Sequence, residues 1–402
     1  KGEYAFISGH IGDLDDMDTE KSYESEIEAY IKLFDAKPDI IACDMHPDYV
    51  STRYAKRYAE KYEKKDIEGF ESTYLKGTSA KSKLQKNELL QNPLPVYKIQ
   101  HHHAHFASVL AEHNIEENSV GIIFDGTGYG EDGTLWGGEV LFGNIESAKR
   151  IGHMMYFPLP GGEAAIHEPW RVALAMMSVA CGKAAALEFF NNYDTKSLIN
   201  TGISDNKKTL GDESAFSFYK TLNSKANILL HACERSINSP VSSSAGRLFD
   251  AVAALAGIRT HATYEGQAAI ELEQLIDDSA DGRYGFDVNW DSNIMVFDWR
   301  QLISDIIRDV KKGLNSGKIS AKFHRAIIQL LVDAATHAKK QYKCNTIVLS
   351  GGVFQNVYLL SRSIEELEKK GFRVHSNEIV PANDGGISYG QAAVASRLAA
   401  KI

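Results

Sequence analysis

Cysteine is scarce in this chain: 402 residues carry four, Cys43, Cys181, Cys233 and Cys344, and no C-x-x-C pair. So scattered a set builds neither a disulfide framework nor a thiolate zinc site, and reads as the reduced cysteines of a cytoplasmic protein. Long apolar runs are missing too. No stretch reaches the roughly 18 apolar residues of a membrane span, so no membrane association is expected. Positive charge is short: 44 Lys plus Arg stand against 53 Asp plus Glu, a net charge of −9. That balance counts against nucleic acid as a partner, which asks for a basic surface. No G-K-S or G-K-T triplet occurs, which excludes a P-loop NTPase. The chain opens Lys1-Gly2-Glu3-Tyr4, with no initiator Met and no signal-peptide pattern. It reads as a piece of a longer protein or as a processed chain. No internal repeat is visible.

What is present is an ordinary globular composition, 44% hydrophobic and 24% charged. This excludes a disordered chain, a coiled coil and a collagen-like fibre. Strand and helix patterns alternate, which predicts an α/β protein of two lobes. Short strands are expected at Ala5–Ser8, Ile40–Cys43, Pro95–Gln100, Val120–Asp125, Thr134–Leu141, Thr346–Ser350 and Phe372–His375. Helices are expected over 50–64, after residue 100, and over 168–181, 245–257, 320–342, 356–370 and 388–400. Polar segments at 75–93, 200–226 and 277–293 read as loops, the first as a mobile one. The lobes are expected to divide after residue 158, as 1–158 and 159–402.

The densest chemical signal is His101-His102-His103-Ala104-His105. His101 and His105, at i and i+4, share one helix face and can bind one divalent metal ion. A polar patch at a helix start accounts for the pair equally well until a third ligand is found. His102 and His103 point elsewhere, toward supporting or nucleotide contacts. Asp125-Gly126-Thr127-Gly128-Tyr129-Gly130 closes an apolar strand. Its glycines allow close backbone approach to a phosphate, while a plain hairpin is the bland alternative. Gly128, Gly130 and Gly133 formally spell G-x-G-x-x-G, but a strand pattern follows rather than a helix, which rejects a dinucleotide fold. Ser350-Gly351-Gly352 leads from a buried strand toward Asn356 and a helix, a turn suited to a nucleotide. Asp384 precedes the last helix, either as the missing carboxylate ligand or as a helix cap. Gly246 with Asp250, and Glu265 beside Gly266, place a carboxylate near glycine, as a ribose diol requires; capping and surface charge are the alternatives.

Taken in order, QHHHAH, FDGTGYGEDGTLWGGE, SSAGRLFDAVAAL, YEGQAAIELE, LSGGVFQN and PANDGGISYGQ resemble the Kae1-like domain of the HypF carbamoyltransferases, which serve nickel–iron hydrogenase maturation. The segments Cys43–Thr52 and Pro160–Arg171 strengthen this choice over related families. The resemblance runs along nearly the whole chain. It implies a two-lobed actin/hexokinase-like (ASKHA) fold, Kae1-like, with helical insertions in the second lobe and nucleotide in the cleft. His101, His105 and Asp384 match metal ligands of this superfamily, and Asp125 matches a carboxylate in or beside the metal site. Gly126, Thr127, Gly128, Gly130, Gly351, Gly352 and Asn356 match a nucleotide- and phosphate-binding frame; Gly246, Asp250 and Glu265 match its ribose side. Fe(II) or Zn suits two His and carboxylates better than Mg. ATP, AMP or carbamoyl-adenylate is the expected nucleotide ligand.

Family members also carry acylphosphatase-like, zinc-finger and YrdC-like parts, none of which is legible here. The YrdC-like part makes carbamoyl-adenylate, and the Kae1-like part passes the carbamoyl group to the C-terminal cysteine of HypE. The resemblance therefore implies the transfer half alone. Against the family pattern, a strand before Lys1 is missing and the stretch from Ala55 to Pro93 is longer. Four other readings share part of the pattern: a tRNA threonylcarbamoyl transferase, a small-molecule O-carbamoyltransferase, a metal-dependent ATP hydrolase, and a non-catalytic nucleotide-binding module.

Overall fold

A computed structural model describes residues 4–12, 14, 16–60, 93–191 and 224–401. Two sheets organise it. A small parallel sheet pairs β1 (Ile41–Asp44) with β2 (Val96–Ile99). A nine-stranded sheet has the path β11-β10-β3-β4-β5-β9-β8, ending on β8 (Asp287–Asp291), with β6 (Phe157–Pro158) and β7 (Val241–Ser242) attached beside β4. In it β3 (Ser119–Tyr129) is parallel to β10 (Thr346–Ser350), which is parallel to β11 (Arg373–Ser376). β4 (Leu135–Gly143) and β5 (Ala148–Met154) are antiparallel to their predecessors, and β5 runs parallel to β9 (Ile294–Asp298). This mixed α/β architecture is the one expected. The sheet, however, crosses the division expected after residue 158. Backbone ladders join β3, β4 and β5 to β9, β10 and β11, so residues on both sides of 158 form one layer.

Both faces of the large sheet are covered, which explains the unbroken apolar runs of β3 and β10. Alternate side chains go to opposite cores. Val120, Ile122, Phe124, Ile347 and Leu349 join the larger one, under the helices that follow β6 and β9. Ile123, Leu141 and Val348 join a smaller one with Phe106, Val109, Leu110 and Val394. The larger core is roofed by Pro169–Cys181, Ala245–Leu255, Arg300–Lys311 and Ser316–Tyr342. In chain order the helices that matter for the site are α1 (His101–Glu112), α2 (Ala245–Leu255), α3 (Val357–Lys369) and α4 (Ile387–Ala399). α4 packs along α1 and reaches β1 and β2, so this helix pair joins the two sheets. The approach is close: a Cβ at Gly390 would stand 1.9 Å from the Ala104 carbonyl oxygen.

Several expectations change. Ala5–Ser8 forms no strand; Phe6 stacks on Phe34 instead, with ring centroids 3.8 Å apart. The polar segment 277–293 contains β8 (Asp287–Asp291), an edge strand paired antiparallel with β9. Its exposed Asp and Asn residues hid the ladder, and Ser292 and Asn293, at φ 47° and 73°, close the hairpin. Of the expected loop over 200–226, residues 224–226 are helical and the rest lie outside the described residues. The loop expected at 75–93 lies outside them too, apart from residue 93, and the helix expected over 50–64 is described over 50–60. Among the described residues no helix is long and apolar enough to cross a membrane.

Candidate metal centre

The two sheets meet where β1, β2, β3 and β10 end, and carboxyl ends of parallel strands are where open α/β sheets bind ligands. Four expected residues converge there. β2 runs into α1, whose N-cap Gln100 accepts from the His103 amide (2.8 Å). The first turn so formed carries His101 and His105 on one face. Their Nε2 atoms lie 3.3 Å and 3.6 Å from Asp125 Oδ2, and 3.9 Å and 3.8 Å from Asp384 Oδ1. One ligand atom from each of the four residues lies within 4.8 Å of all the others.

His101, His105 and Asp125 are buried, whereas Asp384 leaves 74% of its side chain open. Burial alone would raise the Asp125 carboxyl, but His101 and His105 outweigh it and hold it well below the usual range. Burial alone would lower His101, yet Asp125 and Asp44 hold it well above. Asp384 goes the other way: close surrounding protein, then the Asp125 charge, raises its carboxyl. Among the described residues, neither buried ring nitrogen of His105 has a hydrogen-bond partner. A buried, orphaned imidazole is costly unless something binds it. Two imidazoles and two carboxylates around it therefore fit a divalent cation.

The supporting contacts show what each glycine motif does. The β3–β4 register breaks between Phe124 and Gly128, which turns Asp125 into the site. The Gly352 amide donates to Asp125 Oδ1 (2.9 Å) and orients it. Gly351 precedes at φ 103°, and a Cβ there would stand 2.3 Å from the Phe124 carbonyl oxygen. Gly128 packs against the His101 and His102 rings, and Gly130 under the Trp136 indole. Thr127 lies half-buried in the register break. Gly246 abuts Gly126, while Ser244 Oγ donates to the Gly126 carbonyl (2.5 Å).

The remaining expected residues sit around this centre or away from it. Asp250 is buried against Arg247 (2.9 Å), and burial pushes its carboxyl up to about 6. Glu265, exposed at the cleft, reaches Arg247 at 3.5 Å. Asn356 stands outside the cluster: it caps α3 through the Leu359 amide (2.7 Å) and donates to His324 Nε2 (2.9 Å). The capping alternative for Asp384 is resolved by its neighbour, since Asn383 Oδ1 accepts from the Gly385 amide (3.1 Å).

Sequence reasoning passed over Asp44 as a site residue. It ends β1 as Asp125 ends the apolar run of β3, and a carboxylate closing a buried strand was the available signal. Its Oδ2 lies 2.9 Å from His101 Nδ1. Arg247 was passed over as well; its three-residue spacing to Asp250 on α2 was the available local signal, while Glu265 meets it only in the fold.

Fold and cluster together define a two-lobed, actin/hexokinase-like α/β protein with a two-histidine, two-carboxylate centre, buried but for Asp384. Its residues 1–112 match the family "HypF Kae1-like domain", and residues 121–391 match "Carbamoyltransferase, Kae1-like Domain, second subdomain". The chain belongs to the HypF Kae1-like domain family. It is 34% identical over 393 residues to the carbamoyltransferase HypF of Synechocystis sp., covering 97% of this chain and 44% of that protein. To a carbamoyltransferase HypF homolog of Cupriavidus necator it is 30% identical over 397 residues, covering 96% of this chain and 85% of that protein. A crystal structure of full-length HypF in the phosphate- and nucleotide-bound form matches with TM-score 0.78 and 39% identity, over 99% of this chain and 44% of that one. The chain thus spans less than half the length of that Synechocystis relative and of that full-length structure.

Proposed function

We propose that this chain transfers a carbamoyl group from carbamoyl-adenylate, bound in the cleft, to the C-terminal cysteine thiol of HypE. The product would serve synthesis of the cyanide ligands of nickel–iron hydrogenase. The observation that carries the reading is the His101–His105–Asp125–Asp384 centre, with its orphaned His105, beside the Gly351–Gly352 turn. The phosphate- and nucleotide-bound state of a related structure supports a nucleotide in that cleft.

His101, His105, Asp125 and Asp384 would hold a divalent cation, Fe(II) or Zn by the softness of the donors. Such a cation supplies Lewis-acid polarisation of a carbonyl or phosphate oxygen. The acceptor thiolate attacks the carbamoyl carbon. A C–S bond forms, the C–O bond to the adenylate phosphate breaks, and AMP leaves with that electron pair. Asp44 fixes the His101 ring, and the Gly352 amide fixes Asp125. Backbone amides of the register break at 125–127 would offset the charge of the leaving phosphate. The nucleophile belongs to the partner, in keeping with four unpaired cysteines in this chain and a cytoplasmic setting.

The test is incubation with carbamoyl-adenylate and a HypE tail peptide, with mass detection of a carbamoylated cysteine. The His101→Ala/His105→Ala double variant should stay folded while losing metal and transfer. Full transfer by that metal-free variant overturns the reading.

A further inference from the structure

The loop that delivers Asp384 is tied to the far end of the helix that delivers the histidines. Glu112, in the last turn of α1, accepts from three successive backbone amides. Its Oε1 lies 3.3 Å from the Glu378 amide, 2.5 Å from that of Ile379 and 3.3 Å from that of Val380. Other bonds bring the same segment to α1. Asn377 Nδ2 donates to Ser108 Oγ (3.1 Å), and His113 Nε2 lies 2.8 Å from the Ser376 carbonyl oxygen. Apolar burial holds this stretch only at its end: Ile379 is 90% exposed, and Val380 alone is buried. Beyond it, the Gly351 amide donates to the Ala382 carbonyl (3.1 Å), and Asp384 follows in a single short turn.

We propose that Glu112 is a positioning residue for the metal centre: by clamping the 378–380 backbone to α1 it sets where Asp384 stands relative to His101 and His105. The proposal rests on reading that cluster as a cation site. Asp384 is the one exposed member of the four and opens a three-residue 3-10 turn rather than standing in a strand or α-helix. His101 and His105 are held on α1 and Asp125 on β3. Asp384 needs its own anchor, and a carboxylate bridging three amides is a stiff one, since charge-assisted hydrogen bonds are the stronger kind. Because the anchor lies on α1, ligands from opposite ends of the chain move as one body. A site assembled from a loop and a helix keeps its geometry only when such outer contacts are in place.

The test measures zinc binding by titration calorimetry together with backbone hydrogen exchange. Glu112→Ala should weaken zinc binding about tenfold or more and speed exchange at amides 378–380. Glu112→Gln, which keeps an acceptor oxygen, should recover most of the affinity. In an Asp384→Asn background, Glu112→Ala should cost nothing further, because its effect passes through Asp384. Unchanged affinity in a folded Glu112→Ala protein, additive losses in the cycle, or amides 378–380 still protected would each overturn the clamp. A wild-type protein that binds neither zinc nor ferrous iron would instead overturn the cation reading, and the exchange data would still decide whether Glu112 holds the loop.

Discussion

Asp44 holds His101 from behind: its Oδ2 lies 2.9 Å from Nδ1, while Nε2 of the same ring faces Asp125 Oδ2 at 3.3 Å. A carboxylate only accepts, so Nδ1 keeps a hydrogen toward Asp44, and Nε2, once its own proton facing Asp125 is lost, is the atom offered to a metal. The residue comes from the small sheet and the histidine from the helix after it, so one hydrogen bond sets the tautomer across two elements. Removing it with Asp44→Ala should cost about 10–100-fold in metal affinity with little loss of fold. Titration calorimetry on the purified variant checks this, and wild-type affinity would show that His101 is oriented by packing alone.

Gly390→Ala should loosen the contact between α1 and α4. The added carbon would stand 1.9 Å from the Ala104 carbonyl oxygen, and a backbone atom cannot rotate away. Overpacking of this kind costs about 1–3 kcal/mol. Urea unfolding should show the loss as a lower midpoint with an unchanged slope. A midpoint within error of the wild type would mean that the helices separate freely.

His324 makes stability depend on pH at a site away from the metal centre. Burial pushes its imidazole down to about 4; Nδ1 donates to the Ser320 carbonyl (2.8 Å) and Nε2 accepts from Asn356 (2.9 Å). The unfolded chain therefore binds the proton that the folded chain refuses. Stability is fully present above the ordinary histidine value of about 6.5 and falls as pH drops toward about 4, by roughly 3 kcal/mol in total. Urea midpoints measured across that window should decline for the wild type and decline less for His324→Gln. Parallel curves would assign the acid sensitivity to other groups.

Arg247 and Asp250 form a buried pair (2.9 Å), with both side chains 3% exposed. Truncating one partner leaves an uncompensated buried charge. Arg247→Met should destabilise by about 3–5 kcal/mol, and adding Asp250→Leu should return much of that loss. Chemical denaturation of the single and double variants measures the coupling. Equal stability of the two would show that the pair contributes no coupling.

How much of the centre could be read beforehand follows from the range of each interaction. His101 and His105 were legible because a four-residue spacing on a helix is a local fact. Asp125 was legible because an apolar strand ends on it. Asp384 was ambiguous, since a ligand and a helix cap use the same residue type; the structure gives the cap to Asn383 and leaves Asp384 facing the histidines. Asn356 shows the converse: a βα turn marked it for a nucleotide, yet its side chain caps α3 and meets His324, a residue on a distant helix. Strand β8 was hidden because an exposed edge strand has the composition of a loop.

The sequence by itself determined the chemistry available: an α/β alternation, two histidines on one helix face, carboxylates beside glycines, and too few cysteines for thiolate or disulfide work. These depend on neighbours within a few residues, which periodicity and spacing report directly. Only the tertiary structure decided which carboxylates face the histidines, that Asp44 stands behind His101, and that Glu112 anchors the loop before Asp384. Those pairings join residues 57 and 267 positions apart. They exist because two sheets and the α1–α4 pair bring strand ends together, and no local pattern records which distant side chain a buried polar group will find.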